Sequence, residues 1–96
     1  MNQATIIQRN PTILFSQLDD EYLALDAEAG FCYSLNPVSG HIWNLIEQPI
    51  TLEALCAQLQ RDYRVDAATC RRDVSDVLTK LAKAGLVMLL APQIVA

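Results

Sequence analysis

Three runs in the first third of the chain, Thr12–Leu18, Tyr22–Asp26 and Phe31–Leu35, are rich in β-branched, aromatic and aliphatic residues. Asp19-Asp20 separates the first two and Ala27-Glu28-Ala29-Gly30 the last two. Parallel neighbours need a crossover of about a dozen residues or more, whereas connections this short suit hairpins. The spacing therefore predicts a three-stranded antiparallel meander. In its third strand Phe31, Tyr33 and Leu35 share one face while Cys32 and Ser34 share the other, because side chains alternate. One face is large and apolar, the other small.

The remainder reads as helix. Asn36 followed by Pro37 is an N-cap with proline at the first helical position, where a missing N–H costs nothing. Val38, Ile42, Leu45 and Ile46 recur at helical spacing with Trp43 beside them, and Gln48-Pro49 is expected to end the run. Thr51 caps a second helix with the apolar stripe Leu52, Leu55, Cys56, Leu59 and Tyr63, and Ile50 and Leu55 are spaced as a hydrophobic staple. Asp66 caps a third, whose stripe is Cys70, Val74, Val77, Leu78 and Leu81; Gly85 stops it, with Leu86 and Leu81 placed for a Schellman contact. Leu86–Leu90 is strand-like, and Pro92 closes it. The expected fold class is α+β: a winged-helix-like domain in which a three-stranded antiparallel sheet is followed by three helices. A single domain spans 1–96, its core about 11–90.

Composition narrows the function. Ninety-six residues leave no room for a second domain or a large enzyme. A net charge of −4 is the wrong sign for a protein that gains affinity from phosphates, so no nucleic-acid partner is expected. The apolar stretch from Gly85 to Ala96 contains Pro92 and falls short of the ~20 residues of a spanning helix. No membrane partner is expected, and no secretory signal is visible at the N-terminus, which points to the cytoplasm. Cys32, Cys56 and Cys70 are odd in number and widely spaced, without the pattern of a zinc site or a disulfide framework. Cys56 and Cys70 fall on apolar stripes, where cysteine acts as a small hydrophobe. His41 is the one histidine, and the glycines at 30, 40 and 85 form no phosphate loop. No catalytic residue, metal or cofactor is expected. Arg71 and Arg72 open the third helix as a DNA-reading helix would, but Asp66, Asp73 and Asp76 on or beside it nearly cancel their charge.

Leu35-Asn36, Gly40-His41-Ile42-Trp43-Asn44-Leu45, Arg72-Asp73-Val74-Ser75-Asp76-Val77-Leu78 and Leu81-Ala82-Lys83-Ala84-Gly85-Leu86-Val87 occur in the order of a known pattern. From about Glu21 to Val87 the chain resembles the pyrroloquinoline quinone biosynthesis protein D (PqqD-like) family, also called RiPP precursor recognition elements. It departs from that pattern at Pro37-Val38-Ser39 and at Gln48-Pro49. The resemblance implies a non-catalytic module that captures the leader segment of a ribosomally synthesised precursor peptide and delivers it to modifying enzymes. The leader would add as a strand to the third strand's edge and lie against the third helix. The implied peptide-binding residues are Phe31, Cys32, Tyr33, Ser34 and Leu35, with Asp73, Val77 and Lys80 on one flank of the third helix or Arg71 on the other. A small chain of this kind suits lasso-peptide biosynthesis, with a leader peptidase and a macrocyclase as partners. The alternative within the family is a peptide chaperone that presents its precursor to a radical-SAM enzyme in quinone-cofactor biosynthesis. Outside it stand a winged-helix DNA-binding regulator and an interaction domain that forms a homodimer.

Overall fold

The computed structural model describes residues 1–91. Its elements in order are β1 (Ile6–Arg9), β2 (Ile13–Leu18), β3 (Glu21–Asp26), β4 (Phe31–Leu35), α1 (Pro37–Leu45), β5 (Ile50–Thr51), α2 (Leu52–Asp62), α3 (Ala67–Lys83) and β6 (Val87–Leu90). The expected meander is present as an antiparallel sheet in the order β2-β3-β4. Its register runs from Leu18 opposite Glu21 to Ile13 opposite Asp26, then from Asp26 opposite Phe31 to Tyr22 opposite Leu35. Asp19 adopts φ +52° in the first turn, the left-handed region that primed hairpin turns use and that Asp tolerates.

That turn fixes which way every backbone group points. A two-residue turn is closed by a hydrogen-bonded pair, here Leu18 and Glu21, so the odd residues of β3 bond to β2 and its even residues bond to β4. The Asp26 carbonyl, which accepts from the Gly30 N–H at 2.8 Å, points to the β4 side as this requires. On β4, Phe31, Tyr33 and Leu35 are then committed to β3. Cys32 and Ser34 turn their N–H and C=O toward the open edge.

A second sheet, in the order β5-β1-β6, was not legible. Ile6–Arg9 is a four-residue run whose antiparallel partners, β5 and β6, are remote in sequence. Ile7 is fully buried, so the packed core begins before residue 11. The segment before β1 also serves α2: the Leu52 and Glu53 N–H groups donate to the carbonyls of Thr5 and Gln3 at 2.9 and 3.0 Å. These are first-turn donors that have no partner inside the helix.

The helix punctuation follows the sequence with three corrections. Asn36, Thr51 and Asp66 accept from the N–H groups of Ser39, Ala54 and Thr69 at 2.8, 3.2 and 2.8 Å. Gly85 takes φ +77°, and Leu86 and Gly85 donate to Leu81 and Ala82 at 2.9 and 3.0 Å, completing the Schellman stop. Helix α1, however, ends at Leu45 with Ile46 as its C-cap, so Pro49 lies beyond the end it was expected to cause. Tyr63 is not on a buried stripe; it is the extended C-cap of α2 and is 43% exposed. Val38, in the first turn of α1, is 48% exposed. The expected closure at Pro92 lies outside the described residues. Cys56 and Cys70 are buried, as their stripe positions predicted.

Trp43 sits where the layers meet. It is buried, stacks on Phe15 of β2 at 5.6 Å, and lies under the Arg9 guanidinium of β1 at 4.9 Å. Arg9 also donates to the Trp43 carbonyl, with Nε at 3.0 Å. Helix α1 reaches the sheet through Gly40, where a Cβ would stand 2.4 Å from the Tyr22 ring. Trp43→Ala is expected to cost about 3–5 kcal/mol in chemical denaturation. Gly40→Ala, which forces an aromatic ring to move, should cost about 1–3 kcal/mol. A Gly40→Ala midpoint equal to wild type would show that α1 does not need this approach.

Candidate functional site

Backbone and side chains at β4 divide the labour. Phe31, Tyr33 and Leu35 share the face that packs on the core, Leu35 buried and Tyr33 half-buried, while Phe31 at the start of the strand is 59% exposed, its ring 6.2 Å from that of Tyr33. Cys32 and Ser34 are exposed on the outer face, and their small side chains leave the edge open to an incoming backbone. In the order β2-β3-β4 no strand covers this edge among the described residues.

Three residues beyond Leu35, the chain enters an apolar groove of about 180 Å³. Leu59 of α2 and Cys70 and Val74 of α3 are its buried floor, while Val38, Tyr63, Val65 and Asp73 stand around it. The groove exists because α2 stops at Asp62 and the extended link through Val65 leaves its apolar side chains between the ends of three helices. Among the described residues Asp73 is the one charged group on its wall. Arg72 Nε lies 3.6 Å from Asp73 Oδ1, but both side chains are largely exposed, so the pair contributes little.

Arg71 and Asp73 therefore serve different surfaces. Arg71 lines a separate cleft of about 480 Å³ against Gln3, Glu53 and Gln60. Val77 and Lys80 continue the Asp73 stripe at i+4 and i+7, Val77 half-buried and Lys80 exposed, and neither lines the groove. Val38, Tyr63 and Val65 were missed as candidate site residues, since an apolar residue beside a cap reads as core. The signal that could have found them is their position: each sits at or just beyond a helix end, where a stripe no longer has a facing helix.

His41 braces one side of the groove. Its Nε2 donates to Asp62 Oδ2 at 2.8 Å, tying α1 to the end of α2, and the Tyr63 ring meets it edge-on at 5.7 Å. Gln58 donates to the other Asp62 oxygen at 3.4 Å. The His41 hydrogen bond, more than any other contact, holds the Asp62 carboxyl below the usual carboxylate range. Asp66 is also lowered, chiefly by the N–H of Thr69. Burial, reinforced by Cys70, pushes the Cys56 thiol up to about 11, which keeps it protonated and inert at neutral pH. Among the described residues no cluster of three or more His, Cys, Asp or Glu side chains could hold a metal ion, and no helix is long and apolar enough to cross a membrane.

A family model described as coenzyme PQQ synthesis protein D (PqqD) matches residues 21–87. Among solved structures the chain is similar to TbiB1 in complex with the TbiA(beta) leader peptide, at 28% identity over 88% of this chain and 99% of that one, with a TM-score of 0.80. It also shares its fold with a lasso peptide synthetase B1 complexed with the leader peptide, at 22% identity over 85% of this chain and 96% of that one, TM-score 0.75. No match is found among curated proteins.

The lowered Asp62 pKa gives the brace a sign in pH. Its stabilisation is present above the ordinary carboxylate value of about 3.9 and is lost as pH falls through the lower folded value. The gap in melting temperature between wild type and Asp62→Asn should therefore close on acidification, followed by Trp43 fluorescence. A gap that persists unchanged in acid would contradict the pairing.

Proposed function

The chain belongs to the PqqD family, whose model covers residues 21–87, and from that premise we propose that it is a binding module that takes up the leader segment of a ribosomally synthesised precursor peptide as a strand added to β4. The observation that carries this reading is the open, uncharged β4 edge, followed three residues later by Val38 of the apolar groove that Asp73 also lines. An added strand gains affinity from main-chain hydrogen bonds and specificity from pockets for alternate side chains. Cys32 and Ser34 supply the hydrogen bonds, Phe31, Tyr33 and Leu35 the surface beside them, and the groove a seat for an apolar leader residue. Asp73 favours a basic residue next to it. Val77 and Lys80 extend the contact along α3, whereas Arg71, on the other cleft, is outside it. The similarity to TbiB1, whose solved structure holds a leader peptide, supports the same reading.

In this account the module is not a catalyst. What supports that is the engagement of His41 by Asp62 and the protonated, buried state of Cys56. It acts in the cytoplasm, where precursors are made, and hands the bound precursor to a leader peptidase and a macrocyclase of lasso-peptide biosynthesis.

The test is a fluorescence-anisotropy titration with labelled leader peptides of the precursors encoded beside this chain, run with a random DNA duplex at two salt concentrations. Saturable, sequence-dependent leader binding without DNA retention is expected; salt-sensitive DNA binding without peptide binding would overturn the reading. A leader from a quinone-cofactor precursor that binds while lasso leaders do not would reassign the pathway. Ser34→Pro, which deletes an edge N–H but no bond to β3, should weaken leader binding about tenfold, or about 1.4 kcal/mol. Asp73→Lys should weaken a basic leader severalfold, while Arg71→Glu should leave it unchanged. Wild-type affinity in a folded Ser34→Pro chain would exclude strand addition at β4.

A further inference from the structure

The meander has a second open edge, because β2 bonds only to β3 among the described residues. Edge strands are ordinarily blunted by lysine, proline, a bulge or a covering segment. The sequence of Ile13–Leu18, ILFSQL, carries neither charge nor proline, and its register with β3 runs without a bulge. On its outer face stand Leu14 and Leu18, each 61% exposed, more than any other large apolar side chain among the described residues. The β4 edge differs in kind, since its outer side chains are Cys32 and Ser34.

We propose that β2 is a self-association edge, on which a second copy of this chain pairs antiparallel about a two-fold axis through Ser16. The hydrogen-bonded closing pair Leu18–Glu21 commits Leu14, Ser16 and Leu18 to β3 and turns the backbone groups of Phe15 and Gln17 to the open edge, with the carbonyl of Ile13, whose N–H donates to the Asn10 carbonyl at 3.1 Å. Self-pairing must exchange hydrogen bonds between those outward residues and set outer face beside outer face. Placing Phe15 opposite Gln17 of the second copy does both. It brings Leu14 opposite Leu18 on either side of the axis and Ser16 opposite itself in the close, non-hydrogen-bonded position. Moving the axis to Gln17 would set Leu14 against Asp20, and moving it to Phe15 would set Leu18 against Thr12. In the favoured register Leu14, Leu25 and Cys32 already form one cross-strand row, and Leu18 of the second copy extends it. The acidic turns at Asp19-Asp20-Glu21 fall at opposite ends of the interface, so two chains of charge −4 do not oppose their densest negative charge. An edge of this length buries less than the ~800 Å² per partner of a stable interface, so the dimer is weak and concentration-dependent and leaves β4 free.

Sedimentation equilibrium of the full chain from micromolar to millimolar concentration should show a mass rising from 10.6 kDa toward twice that value. Leu18→Lys places an ammonium opposite Glu21 within the sheet, which spares the monomer, and should raise the dimer dissociation constant at least tenfold. Met88→Lys, on β6, should leave it unchanged. In a Cys32→Ser background, Ser16→Cys should cross-link to itself in a glutathione redox buffer, two thiols being oxidised as one glutathione disulfide is reduced. Cα atoms about 4.5 Å apart at such a pair fall within disulfide range. Gln17→Cys, which opposes residue 15, should not cross-link. A chain that stays monomeric to millimolar concentration, a dimer indifferent to Leu18→Lys, or cross-linking through position 17 in place of 16 would overturn the proposal. None of these readouts involves peptide binding at β4.

Discussion

The structure depends on the burial of Trp43 at the meeting point of two small sheets and one helix. Among the described residues neither sheet has more than three strands, and sheets this small gain their stability from a buried apolar face or packing against a helix. Phe15 brings β2 to the indole, Arg9 brings β1, and Gly40, one helical turn earlier, lets α1 approach Tyr22 closely enough for the indole to reach the sheet. Asn10 carries the same logic one residue beyond β1: its N–H donates to the Leu86 carbonyl and its side-chain amide to Gly85, which anchors the start of the meander to the stop of α3.

The β4 edge is a by-product of that arrangement. Once the meander is held by its inner face and β3 is its centre, β2 and β4 are both left open. The chain distinguishes them by side-chain size: the outer face carries the small residues Cys32 and Ser34 on β4 and the exposed Leu14 and Leu18 on β2. The position of the groove adds direction, because Asn36 caps α1 immediately after β4 and so delivers Val38 to the space that α2 vacates at Asp62. His41 and Asp62 hold that space from behind.

Most of this was legible wherever a residue's chemistry acts locally. Asn36-Pro37, Thr51, Asp66 and Gly85 mark helix ends because their side chains or lack of one satisfy or relax the nearest backbone groups. The turn lengths dictated antiparallel pairing. What escaped detection depends on partners remote in sequence: β1 has little pattern of its own, and its strand character comes from β5 and β6. Val38 and Tyr63 follow helical spacing, yet spacing alone does not say whether another helix faces them. Which β4 residues share a face was readable from alternation, whereas the surfaces of the third helix were not, since Arg71 and Asp73 could be told apart only once the groove and the separate cleft were in view.

The central claim is that β4 accepts a backbone through Cys32 and Ser34. Amide hydrogen exchange followed by NMR, with and without a saturating leader peptide that the titration identifies, tests it residue by residue. The account predicts that the Cys32 and Ser34 amides, open in the free chain, become protected on binding, while Tyr33, already bonded to β3, gains least among the three. Saturable binding that leaves the Cys32 and Ser34 amides as exchangeable as before would contradict it.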